Sequence, residues 1–280
     1  MGFFGEFDGW LTALLTSYLS DTLTRIAGAL EPAVITAGAV YIAAWGYLQL
    51  AGQIEEPFTD GLKRIGMFVL VIGIGLKLWG YHALVVDTFL LAPSQLAAAV
   101  VGAGSPVGTI DQILFTGSDA AQALLTKGGF FEGLTFVIAG FIVYALVGVT
   151  ALYTMFLLAL SRVALSILLA LGPLFFALLL FPATRRYFEA WIAQLSNYAL
   201  IAVLTVLVEA LLLQLVTTAA AQAAAAGPAI QIAHAVRVCL AAGLILLVLR
   251  QVMPMAAGLA RGISLTSFSV ASRAVAWGMS

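Results

Sequence analysis

From Gly133 to Leu160 the chain carries no charged residue. A helix crosses the hydrocarbon core of a bilayer with about 20 predominantly apolar residues, so this run alone is long enough to span a membrane. Similar runs occupy Ala33–Ile54, Ile65–Val86, Trp191–Thr217 and Ala229–Leu249. The chain is 63% hydrophobic and 9% charged, with a mean hydropathy of +1.11, whereas a soluble domain is roughly 25% charged. Lipid is therefore the solvent for most of it. The sequence predicts an all-α fold, a polytopic bundle of transmembrane helices.

The placement of charge counts the crossings, because Lys and Arg in short loops gather on the cytoplasmic side. If Val163–Phe181 crosses as well, there are six spans. One side then holds Arg25, Lys127, Arg185, Arg186, Arg261 and Arg273, and the other Lys63, Arg64 and Arg162. If that segment enters and leaves on one face, five spans remain. The cytoplasm then collects Lys63, Arg64, Arg162, Arg185, Arg186, Arg261 and Arg273, leaving Arg25 and Lys127 opposite. The five-span arrangement separates the charges more cleanly, with an outside N-terminus and a cytoplasmic C-terminus.

The stretch that decides between the two is "LGPLFFALLLFPATRRYFEAW", Leu171 to Trp191. Eight residues lie between Pro173 and Pro182, too few to cross, and Arg185 and Arg186 follow at once. Proline removes a helical hydrogen bond, and a neighbouring glycine can supply the positive φ that a reversal needs. The halves Val163–Leu171 and Leu174–Phe181 each reach about 12–14 Å, half the hydrocarbon core. Residues 163–181 therefore form either a re-entrant pair turned at Gly172-Pro173 or a proline-kinked span. Arg185 and Arg186 can meet headgroups while Trp191 starts the next span from the interface.

Other segments divide by composition. Residues 1–31 alternate apolar and polar residues at three- and four-residue steps, from Phe3 and Phe7 to Leu19, which predicts an amphipathic helix. Its acidic start, "MGFFGEFDGW", is unlike a secretory signal. Residues 32–91 are expected to hold two spans, the first opened by Pro32. Residues 92–130, rich in Ala, Gly, Ser and Thr, read as a solvent-facing loop holding two short helices. Residues 131–253 form the core bundle and 254–280 a polar tail.

Lys77, Arg162, Glu209 and Arg237 fall inside apolar runs. Charges at such depth face the bundle interior and pair, so Lys77–Glu209 or Arg237–Glu209 pairs are expected to fix helix packing, with Lys77 alternatively snorkelling. An ion or proton path is the other reading. The single cysteine, Cys239, excludes an internal disulfide, and with only His82 and His234 beside it the sequence predicts no metal site and no cofactor. There is no Gly-rich phosphate loop and no His-Glu zinc pattern, so no catalytic residue is assigned and the chain is not expected to be an enzyme.

The segment "SRVALSILLALGPLFFALLLFPATRRYFEAWIAQLSNYAL", starting at Ser161, resembles the core signature of the TrbL family. Members are polytopic inner-membrane components of conjugation and type IV secretion systems, the sixth component of the VirB set. The likeness is carried by Gly172, Pro173, Pro182, Arg185, Arg186, Trp191 and Asn197 within residues 161–198, about a seventh of the chain. It implies a bacterial inner-membrane protein with a periplasmic N-terminus, a periplasmic loop at 92–130 and a cytoplasmic C-terminus. It also implies a ring oligomer, a pentamer by resemblance, in contact with pilus or stalk subunits and the inner-membrane ATPase complex. Lipid surrounds such a ring, and translocated DNA or protein would touch it transiently. With Asp111, Asp119 and Lys127 as its charges, the 92–130 segment offers no footprint for a phosphate backbone.

The expected function is thus a channel and assembly-platform subunit supporting substrate transfer and pilus biogenesis. The alternative is a small-molecule or ion transporter with a midplane site at the broken helix. Such carriers show paired halves, and no second broken helix matches the first.

Overall fold

A computed structural model describes residues 2–52, 61, 65–66, 68–69, 71–76, 78–101, 106–127, 134–180, 184–226 and 232–277. Among them the elements are helical: α1 (Phe3–Leu50), α2 (Asp87–Val101), α3 (Pro106–Lys127), α4 (Leu134–Ala170), α5 (Gly172–Leu178), α6 (Arg185–Ala226) and α7 (Ile232–Trp277). Before α2, two π-helical stretches, Val71–Leu76 and His82–Val86, flank the short α-helical piece Leu78–Tyr81. Four helices, α1, α4, α6 and α7, are long and apolar enough to cross a membrane. The expected second span, Ile65–Val86, is described only in pieces and is not among them. Lys77 and Pro182 lie outside the described residues.

Three expectations change. The break foreseen at Pro32 is absent, and α1 runs through it for 48 residues, about 72 Å. Proline's fixed φ is itself helical, so with continuous turns on both sides it costs one hydrogen bond rather than ending the helix. Arg162 does not interrupt α4, which joins the run from Leu134 to the segment ending at Ala170 in one helix of 37 residues. Residues 92–130, read as a solvent-facing loop with two short helices, hold the end of α2 and all of α3, which at 22 residues is longer than expected.

The chain divides into two compact units. One comprises Met1–Ala13, Pro93–Arg162 and Tyr198–Leu259. Its core brings together Ile113 and Leu124 of α3, Val143 and Val147 of α4, Ile201 and Leu212 of α6, and Val238, Ile245 and Leu249 of α7. Lipid is as apolar as these side chains, so burial alone does not drive the packing; close approach at small residues does. A Cβ on Gly117 would lie 2.5 Å from Val147 Cγ1, and one on Gly140 would lie 2.8 Å from Leu125 Cγ and 3.0 Å from the Ala121 carbonyl. These two glycines let α3 sit against α4, which is why α3 is core and not loop.

On α4 the two faces separate. Val143, Val147, Ala151, Thr154 and Leu158 are buried at helical spacing, while Leu134, Ile138, Phe141, Leu152 and Phe156 are exposed. A helix apolar all round, with only one face packed, is a membrane span whose other face meets lipid. Three hydroxyls on these spans are satisfied within their own helix: Thr150 donates to the Leu146 carbonyl at 2.8 Å, Thr154 to that of Thr150 at 2.9 Å, and Thr217 to that of Leu213 at 2.7 Å.

The second unit comprises Leu14–Ala92, Val163–Asn197 and Ala260–Ser280. Leu19, Leu23, Ala27 and Val34 of α1 are buried here. At Gly38 the helix passes the ring of Phe68, and a Cβ there would lie 3.0 Å from it. Tyr41 packs at a tilt against the same ring, 5.6 Å between centroids.

Candidate functional site: the Gly172-Pro173 break and the buried charges

The break is built from what proline withholds. A helical carbonyl is bonded by the N–H four residues on, so Pro173, which has no N–H, leaves the Leu169 carbonyl without its donor. At membrane depth such an orphan costs several kcal/mol. The Tyr81 hydroxyl donates to the Leu169 carbonyl oxygen at 2.7 Å and replaces that bond. One residue earlier, Trp191 Nε1 donates to the Leu168 carbonyl at 2.9 Å. Two side chains distant in sequence therefore take over the hydrogen bonding of the interrupted turn.

Gly172 makes the first of these bonds possible. A Cβ there would collide with the Tyr81 hydroxyl and its ring carbon Cζ. This glycine is needed for space, not for backbone freedom. Among the described glycines only Gly52 has a positive φ, and Leu171, with φ −82 and ψ −4, carries the departure from helix. The expectation of a glycine-driven reversal is corrected accordingly. Pro173 opens α5, whose first bonds run from Leu174 N–H and Phe175 N–H back to the Leu171 carbonyl at 3.0 and 3.4 Å. Val163–Leu171, the expected first half of a hairpin, is up to Ala170 the end of α4.

Around the break lies an aromatic cluster. Phe176 meets Tyr81, Phe188 and Trp191 edge-on at 5.9, 5.2 and 5.8 Å between centroids, and Phe175 stacks on Trp191 at 5.5 Å. Tyr81 and Trp191 are among the largest fully buried side chains of the protein. Edge-to-face pairs of this kind add about 0.5–1.5 kcal/mol each beyond burial. Gly75, in the first π-helical stretch, has no room for a Cβ because Phe176 Cβ occupies it. Within Gly73-Ile74-Gly75 it is Gly75 that serves packing, since a Cβ on Gly73 would meet open space.

At the far end of α5 the Thr184 hydroxyl donates to the Leu178 carbonyl at 2.6 Å. Arg185 pairs with Glu189 at 3.4 Å, one turn along α6, and Arg186 stacks over the Tyr187 ring at 5.0 Å. Both arginines are held on the surface by their own helix. Asn197 is the signature residue left open, since its buried Oδ1 has no partner among the described residues.

Of the pairs expected, Arg237–Glu209 does not form, and Lys77–Glu209 falls outside the described residues. In the first unit Arg162 Nη1 forms an ion pair with Asp8 of α1 and reaches the Thr12 hydroxyl at 3.1 Å. Arg237 bonds Gln222 Oε1 at 3.0 Å, so it is not engaged with Glu209. Glu209 itself is 1% exposed, and neither carboxylate oxygen has a partner among the described residues. The Thr205 hydroxyl, one turn earlier on α6, is likewise buried and unpartnered. No group of His, Cys, Asp and Glu among the described residues could hold a metal ion.

Asp111 plays a part that its sequence position did not advertise. Its carboxylate accepts the Phe4 and Gly5 backbone N–H groups at 3.2 Å each, neutralising free donors in the first turn of α1. Gly2 lies against the same carboxylate, with no room for a Cβ. Phe4 then enters a buried cluster with Val107, Ile110, Ala151, Met155 and Val206. Asp111→Ala is expected to cost about 1–2 kcal/mol, as for loss of a helix cap. The thiol of Cys239, half-buried against the same unit's core, should become accessible to a maleimide dye at a lower temperature. An unchanged labelling curve would refute the latch.

Sequence reasoning missed Tyr81, Asp8 and Asp111. The signal for Tyr81 was available, since a phenol in an apolar run must find an acceptor; which acceptor was not.

Comparison with known proteins comes on top of this geometry. A family model described as TrbL/VirB6 plasmid conjugal transfer protein matches residues 38–252. The type IV secretion system protein VirB6 of Bartonella henselae is 24% identical over 217 residues, covering 76% of this chain and 67% of that protein. The VirB6 type IV secretion system protein of Brucella abortus is 31% identical over 193 residues, 65% of this chain and 54% of its own length. Protein VirB6 of Agrobacterium fabrum is 25% identical over 221 residues, 73% of this chain and 70% of its own. The matched region takes in α4, α5 and the Gly172-Pro173 break whole, and on that extent the chain belongs to the TrbL/VirB6 family.

Proposed function

We propose that the chain is an inner-membrane channel and assembly-platform subunit of a type IV secretion system, supporting transfer of DNA or protein and biogenesis of the pilus. The observation that carries this reading is the family match across residues 38–252, which spans the capped break and most of the membrane-crossing helices. Relatives named as type IV secretion system proteins agree with it. In this reading the N-terminus is periplasmic and the C-terminus cytoplasmic, and the break at Gly172-Pro173 kinks the chain where α4 ends. The subunits form a ring, a pentamer by family resemblance, in contact with pilus or stalk subunits and the ATPase complex. The chain carries no catalytic step of its own.

Physically, an assembly platform needs rigid helices and satisfied backbone wherever a helix is broken at depth. The Tyr81 and Trp191 bonds supply that at Leu169 and Leu168. Deleting the chain from its host should reduce conjugal transfer or secretion to the background of a strain lacking the secretion ATPase, and surface pili should disappear. Expressing the chain in trans should restore both. Transfer at the parental level in the deletion strain would overturn the proposal.

Glu209, buried and with no partner among the described residues, gives a solute-carrier reading its one specific support. Under that reading the same deletion would alter small-solute uptake and leave macromolecular transfer intact.

A further inference from the structure

Along α7 a groove of 610 Å³ is lined by Leu244, Leu247, Val248, Arg250, Gln251 and Pro254. Its floor is apolar and open, with Leu244 and Leu247 more than half exposed. The exposed face continues one turn at a time through Leu240 and Val236. These residues repeat at three and four, so they form one stripe along the helix. From Ile232 to Leu249 the helix covers about 27 Å at 1.5 Å per residue, close to the thickness of the hydrocarbon core. The apolar helix runs on to Gly262, and with Ile232–Leu249 in the hydrocarbon Arg250 and Gln251 stand at the headgroup level.

Three hydrogen-bonding features meet at that rim. Arg250 forms no ion pair among the described residues, and its guanidinium suits a phosphate. Gln251 is exposed beside it and adds an amide donor. Pro254, inside α7, has no N–H, so the Arg250 carbonyl lacks its helical donor and is free to accept one from outside. A ligand that answers all three has a negative phosphate, a hydroxyl near it and a long apolar tail.

We propose that this groove is a binding site for one anionic phospholipid. The phosphate lies on Arg250 and Gln251, a headgroup hydroxyl donates towards the Arg250 carbonyl, and one acyl chain follows Leu247, Leu244 and Leu240.

The test uses the full chain purified in neutral detergent, with phosphatidylglycerol and phosphatidylcholine as competing probes and retained lipid read by native mass spectrometry. The wild type is expected to keep one phosphatidylglycerol in preference to phosphatidylcholine. Arg250→Gln should weaken that preference about five-fold, the effect of one basic residue near an anionic lipid surface, and Arg250→Lys should retain most of it. Leu247→Trp, at an exposed position that leaves the charge in place, should block the chain-binding floor and lower retention of both lipids. No preference in the wild type, or a preference that survives Arg250→Gln, would overturn the proposal. So would loss with Arg250→Gln while Leu247→Trp binds normally, since that pattern describes general attraction to charge and not a groove.

Discussion

Trp191→Ala is expected to destabilise the chain by about 3–5 kcal/mol, the usual range for deleting a buried aromatic. Trp191 is 2% exposed and contacts the rings of Phe175, Phe176 and Phe188. Its removal opens a cavity where α5 meets the start of α6 and also strips the Leu168 carbonyl of its donor. The comparison with Trp191→Phe separates the two losses. Phenylalanine keeps most of the ring packing and gives up the N–H, so it should cost about 1–2 kcal/mol, the scale of a side-chain hydrogen bond within a membrane. The readout is the temperature at which half of the detergent-solubilised chain survives heating, scored by size-exclusion chromatography. If Trp191→Ala and Trp191→Phe lower it equally, the cluster adds nothing beyond the hydrogen bond and the account of packing is wrong.

The second large effect is expected at Gly172. Adding one methyl group there drives a carbon into the Tyr81 hydroxyl. Tyr81 is fully buried and its ring is held by Phe176, so it cannot swing aside freely. Overpacking of this kind costs about 1–3 kcal/mol, and displacing the hydroxyl also frees the Leu169 carbonyl. The double variant Gly172→Ala with Tyr81→Phe removes the colliding oxygen and should recover part of the loss, although the hydrogen bond stays broken. A loss in the double variant equal to the sum of the two single losses would show that the residues do not meet as described. Simple addition is the expectation for sites without a shared contact.

How much of this was legible beforehand depends on the length scale of the cause. The membrane class, the all-α fold and the family signature at Gly172, Pro173, Arg185, Arg186 and Trp191 are local properties of apolar runs and punctuating residues, and these read directly. The continuity of α1 through Pro32 did not, because a single proline is compatible with both a stop and a bend, and the flanking turns decide. The helical nature of residues 106–127 was hidden by composition. Gly117 and Gly140 lower helix propensity or loosen a pattern when seen alone, and only the facing residues Val147 and Leu125 explain them. The charge pairs were hardest. Arg162 was recognised as a residue that must find a partner, but Asp8 stands 154 positions away, and nothing in spacing singles it out from the other carboxylates.

Synthesis runs from the N-terminus, and the break at Gly172 depends on one residue made well before it and one made after it. Tyr81 has already left the ribosome when the Leu169 carbonyl appears, so that bond can close as soon as the last turn of α4 reaches it. The Leu168 carbonyl must wait until Trp191 emerges. During that interval the inserting chain carries one bare polar group next to the nascent turn. The length of that interval is set by the 23 positions that separate Leu168 from Trp191.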